Sequence, residues 1–314
     1  MKSKPKFIAA AVQCSPVFLQ ISKTIDKIEA IVKEAHKNEA ELIGFPEAII
    51  STYPYWVWLD SPLKWREKYT KPFFENSLEI DGPHTKKLCQ IARANKSYLV
   101  IGVNEKVRGT IYNSQLFISE KGVVDGVHRK LIPTFAERSV WGRGDGSTLN
   151  TFKTKLGIIG GLICAEHYMP LSRYALLSQF EEIHIASFPG FPFKGGVLQY
   201  QADITVRNHA IEGQVFVINS TSYISREMID QLCDTDEKRS LLEKIGGGFS
   251  SIINPLGFYI AGPLKDKEGI LYAEIDKSEI LSAKRTIDAI GHYSRPDVLS
   301  LRLNKSRQEN LDVE

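Results

Sequence analysis

Three ionisable side chains of different kinds stand where apolar segments of the sequence end. Glu47 and Lys130 each follow a short apolar segment, and Cys164 ends the apolar run at residues 156–163. A cysteine nucleophile needs help to become thiolate, a donor for the leaving group, and a group that stabilises negative charge. The three residues therefore form a candidate set for nucleophilic catalysis.

Each of these residues also has an ordinary structural explanation. A cysteine is more often a small buried apolar residue than a nucleophile. Glu47 can be a solvated loop carboxylate, and Lys130 can be one of several surface cations, because charged side chains are mostly exposed. The positions of the three residues in the fold decide between these interpretations.

The surroundings of Cys164 favour a functional position. The preceding run contains glycines and β-branched residues and predicts a buried strand. A helical pattern begins at Pro170 and continues through Leu171, Tyr174 and Ala175. Ligands collect at this edge of α/β sheets, between a strand and a helix. We expect a helix N-terminus or a nearby cation to favour the thiolate.

Strand and helix patterns alternate along the chain, which predicts an α/β fold with a mixed sheet. Strands are expected at residues 7–12, 42–45, 98–103, 112–119, 123–127, 156–163, 183–187, 215–219, 249–253, 258–261 and 271–275. Helices are expected at residues 21–35, 83–94, 171–178 and 199–211. The aromatic segment 51–74 suggests a pocket wall or an interface more than a regular element. Residues 130–147 read as a loop, and 225–244 as a surface helix or loop.

Composition excludes several classes of protein. The chain has 314 residues and a net charge of +3, which is too small to argue for a nucleic-acid partner. No segment is long and apolar enough for a membrane span. The cysteines lie far apart without a CxxC pair, so neither a metal site nor a disulfide framework is expected. We expect one domain over residues 1–314, in the reducing cytoplasm.

The ordered motifs resemble those of the nitrilase, or carbon–nitrogen hydrolase, superfamily, and the resemblance covers nearly the whole chain. The sequence around Glu47 is similar to the motif of the family's catalytic glutamate, and that around Lys130 to the motif of its lysine. Cys164-Ala165-Glu166-His167 resembles the cysteine motif, and Glu137 matches a second family glutamate. The resemblance implies an αββα four-layer sandwich, a Glu–Lys–Cys triad and a C-terminal extension from about residue 285.

Further motifs resemble the nitrilase branch. They are the loop at residues 137–146, the segment 164–175 and the late sequence 291–297. One departure concerns Ala165, because nitrilases usually carry tryptophan after the cysteine. The same resemblance predicts a substrate pocket lined by Tyr53, Thr134, Trp141, Ala165, Phe188 and Pro189.

The resemblance implies hydrolysis of an organic nitrile to a carboxylic acid and ammonia, without metal or organic cofactor. The triad would act through a cysteine thioimidate and a thioester, with Glu47 as base, Lys130 as charge and proton donor, and Glu137 positioning Lys130 or substrate. The small Ala165 favours aryl or α-substituted acetonitriles, with some amide by-product.

An amidase, a cyanide-hydrating enzyme and a non-catalytic partner-binding protein stay open as alternative functions. A homodimer or larger homo-oligomer is expected through the helix after Cys164, with Leu171, Tyr174 and Leu177 facing outward.

Overall fold

A computed structural model describes residues 3–190, 197–243, 247–265 and 267–308. The described strands are β1 Lys6–Gln13, β2 Ala40–Gly44, β3 Tyr98–Val107, β4 Thr110–Ile118, β5 Val124–Arg129, β6 Phe152–Lys153, β7 Ile158–Ile163, β8 Ile183–Phe188, β9 Phe216–Thr221, β10 Ser250–Ile253, β11 Tyr259–Leu264 and β12 Gly269–Asp276. The described helices are α1 Ile21–Lys37, α2 Trp56–Leu59, α3 Pro62–Glu75, α4 Pro83–Ala94, α5 Pro170–Leu177, α6 Val197–Gly213, α7 Arg226–Leu232, α8 Asp236–Glu243 and α9 Ser278–Lys284.

Within these residues the strands form two six-stranded sheets, in the orders β12-β1-β2-β3-β4-β5 and β11-β10-β9-β8-β7-β6. Strands β1, β2 and β3 are parallel, as are β7, β8 and β9. The outer pairs are antiparallel. Both sheets are therefore mixed, as the alternating pattern predicted.

Three apolar layers hold the sheets and helices together. Between the sheets, Ala9 and Leu42 of the first pack in one cluster with Ile185 and Ile218 of the second. A second cluster packs α1 and α4 on the outer face of the first sheet. A third packs α6 on the second sheet, with Val206 fully buried. Each sheet thus has a helical layer outside and the other sheet inside, because both of its faces are apolar.

The predicted strands and helices match the described ones to within a few residues at most boundaries. The interpretation of segment 51–74 as irregular was wrong, because it contains α2 and α3. Its rings form a buried cluster in which Trp56 stacks on Tyr69 at a centroid distance of 4.5 Å. Segment 225–244 contains α7 and α8, which bury Met228 and Leu242. No described helix has the length and apolar character needed to cross a membrane.

Candidate active site

Strand direction brings the three predicted groups to one edge of the sandwich. Strands β2 and β3 are parallel, and two successive reversals make β5 run in the direction of β3. Glu47 after β2 and Lys130 after β5 consequently lie at the same edge. The Ser187 hydroxyl at the end of β8 donates to the Phe45 carbonyl at 2.9 Å. Since β7 is parallel to β8, Cys164 also reaches this edge.

A close backbone approach sets the position of Glu47. The Glu47 N–H donates across the two sheets to the Phe188 carbonyl at 3.3 Å. Gly102 of β3 lies directly behind this turn. A Cβ at position 102 would overlap the Pro46 carbonyl oxygen and lie 2.7 Å from the Glu47 Cα. Only glycine leaves space for the chain to turn here.

Lys130 is fully enclosed between two carboxylates. Its Nζ donates to Glu47 Oε1 at 3.0 Å and to Glu137 Oε2 at 2.8 Å, and all three side chains are buried. Burial lowers the pKa of Lys130, but Glu137 and Glu47 outweigh it and raise that pKa well above its usual value. Lys130 therefore stays an ammonium ion, and the surface-cation interpretation was wrong.

Glu137 uses both of its carboxylate oxygens. Oε1 accepts a hydrogen bond from the Tyr53 hydroxyl at 2.7 Å, and Oε2 accepts one from the Thr134 N–H at 2.7 Å as well as that from Lys130. The Trp58 indole N–H donates to the Tyr53 oxygen at 3.0 Å. Glu137 thus has the contacts of a group that holds Lys130 in place.

Glu47 keeps one oxygen available. Oε1 accepts from Lys130 and, at 2.6 Å, from the Asn113 amide, whereas no described residue donates to the buried Oε2. Burial raises the pKa of Glu47 to about 7, with Glu137 adding to the increase and Lys130 opposing it. A carboxylate with a pKa near neutrality can both accept and return a proton at working pH.

Cys164 adopts an unusual backbone conformation in a 3-10 turn, Cys164–Tyr168, that separates β7 from α5. Its φ is 49°, in the left-handed region. The adjacent Ala165 N–H favours the ionised form of the thiol and lowers its pKa. Burial and the Glu47 charge raise the pKa of Cys164 well above its usual value, and Lys130 only partly offsets them. The nearby cation Lys130 favours the thiolate, as expected, but burial and Glu47 outweigh it, so the resting residue is a thiol beside a base.

Glu166 was not identified as a site residue from the sequence. Its Oε1 accepts from the Leu131 N–H at 2.9 Å, and Oε2 accepts from the Ile163 N–H at 2.9 Å and contacts His128 Nε2 at 2.8 Å. This carboxylate joins the turn that carries Cys164 to the strand end that carries Lys130. Its place beside the cysteine was the only signal in the sequence.

The predicted pocket residues occupy different surroundings. The Thr134 hydroxyl oxygen is buried and donates to none of the described residues. Trp141 is buried, donates to Asn104 Oδ1 at 2.9 Å and lies with its ring centroid 5.8 Å from Lys130 Nζ. Phe188 is also buried and stacks on His167. That these residues, with Tyr53, Ala165 and Pro189, line a substrate pocket stays a prediction.

One described cluster outside the triad has the residue types of a metal site. Ligand atoms of Glu181, His184 and His209 all lie within 4.8 Å of one another, and the three residues are buried. The Glu181 carboxylate already contacts His184 Nδ1 at 2.8 Å and His209 Nε2 at 2.9 Å. A bound ion would have to displace both contacts, so the arrangement is that of a hydrogen-bonded cluster.

Comparisons with known proteins agree with the geometry. A family model described as carbon-nitrogen hydrolase matches residues 8–285. The chain is 43% identical over 304 residues to an aliphatic nitrilase of Rhodococcus rhodochrous, covering 95% of this chain and 83% of that protein. It is 42% identical over 312 residues to a nitrilase of Bacillus sp. (strain OxB-1), covering 98% and 91%.

A solved structure shares the fold. Nit3 of Saccharomyces cerevisiae, described as a member of branch 10 of the nitrilase superfamily, superposes with a TM-score of 0.71 at 22% identity. The superposition covers 93% of this chain and 99% of that one. The predicted αββα four-layer sandwich is thereby confirmed.

Proposed function

The chain belongs to the nitrilase branch of the carbon–nitrogen hydrolase family, and from this we propose that it hydrolyses organic nitriles through a thioimidate on Cys164. The observation that carries the proposal is the buried contact of Lys130 Nζ with Glu47 Oε1 at 3.0 Å beside the thiol. A thiol, a base of pKa about 7 and a fixed ammonium ion are the groups that this reaction requires.

The first half of the proposed reaction adds the thiol to the nitrile. The free Oε2 of Glu47 takes the thiol proton while the sulfur attacks the nitrile carbon, and the nitrogen receives that proton to give a thioimidate. From the sequence, Lys130 was the expected proton donor. Its strongly raised pKa makes it a weak acid, so we assign the proton transfers to Glu47 and charge stabilisation to Lys130.

The second half consumes two water molecules. Glu47 deprotonates the first water, which adds to the thioimidate carbon to form a tetrahedral intermediate. Protonated nitrogen then leaves as ammonia, and a thioester remains. A second water, again deprotonated by Glu47, releases the carboxylic acid and restores the thiol. The Ala165 N–H, which lowers the pKa of the thiol, is assigned as a donor that stabilises the developing negative charge.

For the substrate, we propose aryl or α-substituted acetonitriles. Ala165 follows the nucleophile directly and is partly exposed, so its methyl group leaves room where tryptophan would confine the substrate. A loosely confined intermediate can also expel the thiol in place of ammonia, which yields amide as a minor product. The Rhodococcus relative is described as an aliphatic nitrilase, so short aliphatic nitriles are the competing substrate class.

We also propose a homodimer or larger homo-oligomer of single-domain subunits with an extension from about residue 285, acting in the cytoplasm. Support for assembly comes from an open apolar groove of about 1060 Å³ between α5, α6 and the segment after α9. Leu171 is 67% exposed there. Leu177 is buried, so its expected outward position was wrong, although it lines the floor of the groove together with Leu171 and Tyr174.

Matched substrates test this proposal. Purified protein is incubated with phenylacetonitrile, an α-substituted analogue, a short aliphatic nitrile, cyanide and the corresponding organic amides, and ammonia, acid and amide are quantified. We expect acid and ammonia from the organic nitriles, with little turnover of the amides. Preferred turnover of the amides would replace the proposal by an amidase, and preferred turnover of cyanide by a cyanide-hydrating enzyme.

A further inference from the structure

A chain of buried hydrogen bonds begins at the backbone of the proposed nucleophile. His167 Nδ1 lies 2.8 Å from the Cys164 carbonyl oxygen, and its Nε2 lies 3.0 Å from His184 Nε2. His184 Nδ1 contacts Glu181 Oε1 at 2.8 Å, and Glu181 Oε2 contacts His209 Nε2 at 2.9 Å. All four of these polar side chains are buried, and the proposed reaction uses none of them.

The first contact acts on the reactive turn through the peptide plane. The Cys164 carbonyl and the Ala165 N–H belong to one planar peptide group and point in opposite directions. A hydrogen bond that holds the carbonyl therefore also fixes the direction of the N–H, which lowers the pKa of the thiol. The left-handed φ of 49° at Cys164 is unfavourable for a residue with a side chain, so this plane needs such a restraint.

Hydrogen-bond counting shows how many protons the cluster holds. A carbonyl oxygen only accepts, so His167 Nδ1 must carry hydrogen. The four contacts need four hydrogens, whereas three neutral imidazoles supply three. An ionised Glu181 beside neutral histidines would leave one contact with two facing acceptors and no hydrogen. Such a buried contact is strongly unfavourable.

The fourth proton belongs between His184 and Glu181. Burial and the neighbouring His184 lower the pKa of His167 well below its usual value, so the proton is not there. Burial lowers the pKa of His184 to about 4, and the two imidazoles, overcoming burial, lower that of Glu181 to about 2. If each group titrated independently, neither would supply a proton to the 2.8 Å contact between His184 Nδ1 and Glu181 Oε1 at neutral pH. The geometry decides against that state, so the pair retains one proton jointly.

We propose that His167 is a positioning residue that aims the Ala165 N–H at the reacting centre, and that a proton shared by His184 and Glu181 holds His167 in its Nδ1–H tautomer. The inference rests on Cys164 as the nucleophile of the proposed function. His209 is the last member of this series of hydrogen bonds and donates its Nε2–H to Glu181. The buried Nδ1 of His209 has no partner among the described residues. Arg173 also donates to the His167 carbonyl.

Solid-state NMR of the full chain labelled with ¹⁵N-histidine tests the tautomer directly. Protonated and bare ring nitrogens give separate ¹⁵N signals, and the His167 signals are assigned by their loss in His167→Asn. We expect Nδ1–H with a bare Nε2 on His167, and hydrogen on both nitrogens of His184 or shared with Glu181. A protonated Nε2 with bare Nδ1 on His167 would overturn the proposal, as would stoichiometric metal in the purified protein.

Two substitutions of His167 separate positioning from packing. His167→Asn places an amide N–H near the position of Nδ1, whereas His167→Phe keeps a ring against Phe188 without a donor. We expect His167→Phe to lower kcat by at least about tenfold with little change in KM, as for a misaligned donor of negative-charge stabilisation. His167→Asn should keep kcat within about fivefold of wild type. Equal losses in both variants, at equal folded content, would refute positioning.

Substitutions of Glu181 test the proton count. Glutamine can donate to His184 Nδ1 and accept from His209, which fills every contact with neutral imidazoles. Glu181→Gln should therefore keep the His167 tautomer and most of kcat, whereas Glu181→Leu should lose both. A changed tautomer in Glu181→Gln would contradict the count. If wild type hydrolyses no nitrile, the proposed function fails, while the NMR experiment still decides the tautomer.

Discussion

The Glu166 carboxylate accepts the Leu131 N–H at 2.9 Å and so connects the turn of the cysteine to the strand end of the lysine. The same side chain accepts from the Ile163 N–H and contacts His128. Burial alone would raise the pKa of Glu166, but His128 and the two backbone N–H groups lower it, so the group is ionised. The relative position of Cys164 and Lys130 therefore depends on one buried carboxylate.

Replacing Glu166 by glutamine should destabilise the protein. One acceptor oxygen is lost, and an amide N–H would face a backbone donor. We expect a loss of about 3 kcal/mol in the free energy of unfolding, as for breaking a buried charged contact. Chemical denaturation measures it. Glu274→Gln is the control, because Glu274 pairs with Lys6 on the surface, and it should cost less than about 1 kcal/mol. Similar costs in both variants would contradict this role.

Each proposed catalytic group should be indispensable. Cys164→Ala and Glu47→Gln should each lower nitrile turnover by at least about 10³-fold with the fold intact. Lys130→Met should lose turnover and also stability, because Glu47 and Glu137 would then be two buried carboxylates without a cation. Adding Glu137→Gln should restore stability but not turnover. Ammonia release and thermal unfolding measure the two effects. Turnover near wild type in any single variant would exclude the mechanism.

The strand ends of the site were predictable because they follow local patterns. Apolar runs of strand length stop at Cys164 and just before Glu47 and Lys130, and parallel strands place their ends at one edge. The resemblance to a family then added Glu137. The alternation of strands and helices predicted a mixed α/β sheet, and the pairing of two such sheets was implied only by the family resemblance.

The remaining features depend on contacts between distant parts of the chain. Asn113 donates to Glu47 across 66 positions, and nothing near either residue indicates the partner. The positive φ of Cys164 is set by the turn around it and has no signature such as glycine. The net pKa shift at Cys164 could not be predicted from the sequence, because it depends on burial and on Glu47, which a local pattern does not reveal.

The space beside the nucleophile should determine which nitriles react. Ala165→Trp should lower kcat/KM for an α-substituted phenylacetonitrile by at least about tenfold, while a short aliphatic nitrile changes by less than about threefold. The amide fraction of the product should also fall, because the intermediate is better confined. Chromatography of acid and amide measures both. Ala165→Ser is the matched control and should behave like wild type. An unchanged kcat/KM of Ala165→Trp for the bulky nitrile would show that residue 165 does not limit the size of the substrate.

The close approach at Gly102 should be essential for placing Glu47. Gly102→Ala would push a methyl group into the Pro46 carbonyl and the Glu47 backbone. We expect the free energy of unfolding to fall by about 1–3 kcal/mol because of the overlap. We also expect kcat to fall by at least about tenfold, because the Glu47 carboxylate is displaced. Gly109→Ala, in the turn that ends β3, is the control, since nothing lies within 4 Å of its added Cβ. Normal activity in Gly102→Ala would show that the turn can relax without moving the carboxylate.

The ionisation of Glu47 should appear in the pH dependence of kcat/KM. Burial raises the pKa of Glu47 to about 7, and the base must be deprotonated to accept the thiol proton. Activity should therefore rise with pH through about 7 and fall about tenfold per unit at lower pH. In Asn113→Leu the Glu47 carboxylate loses the amide that donates to Oε1, so the acidic limb of the pH profile of kcat/KM should move to higher pH by about one unit. His36→Gln, an exposed substitution on α1, should leave the limb in place. A limb near pH 4.5 in wild type, or one that Asn113→Leu does not move, would exclude Glu47 as the titrating base.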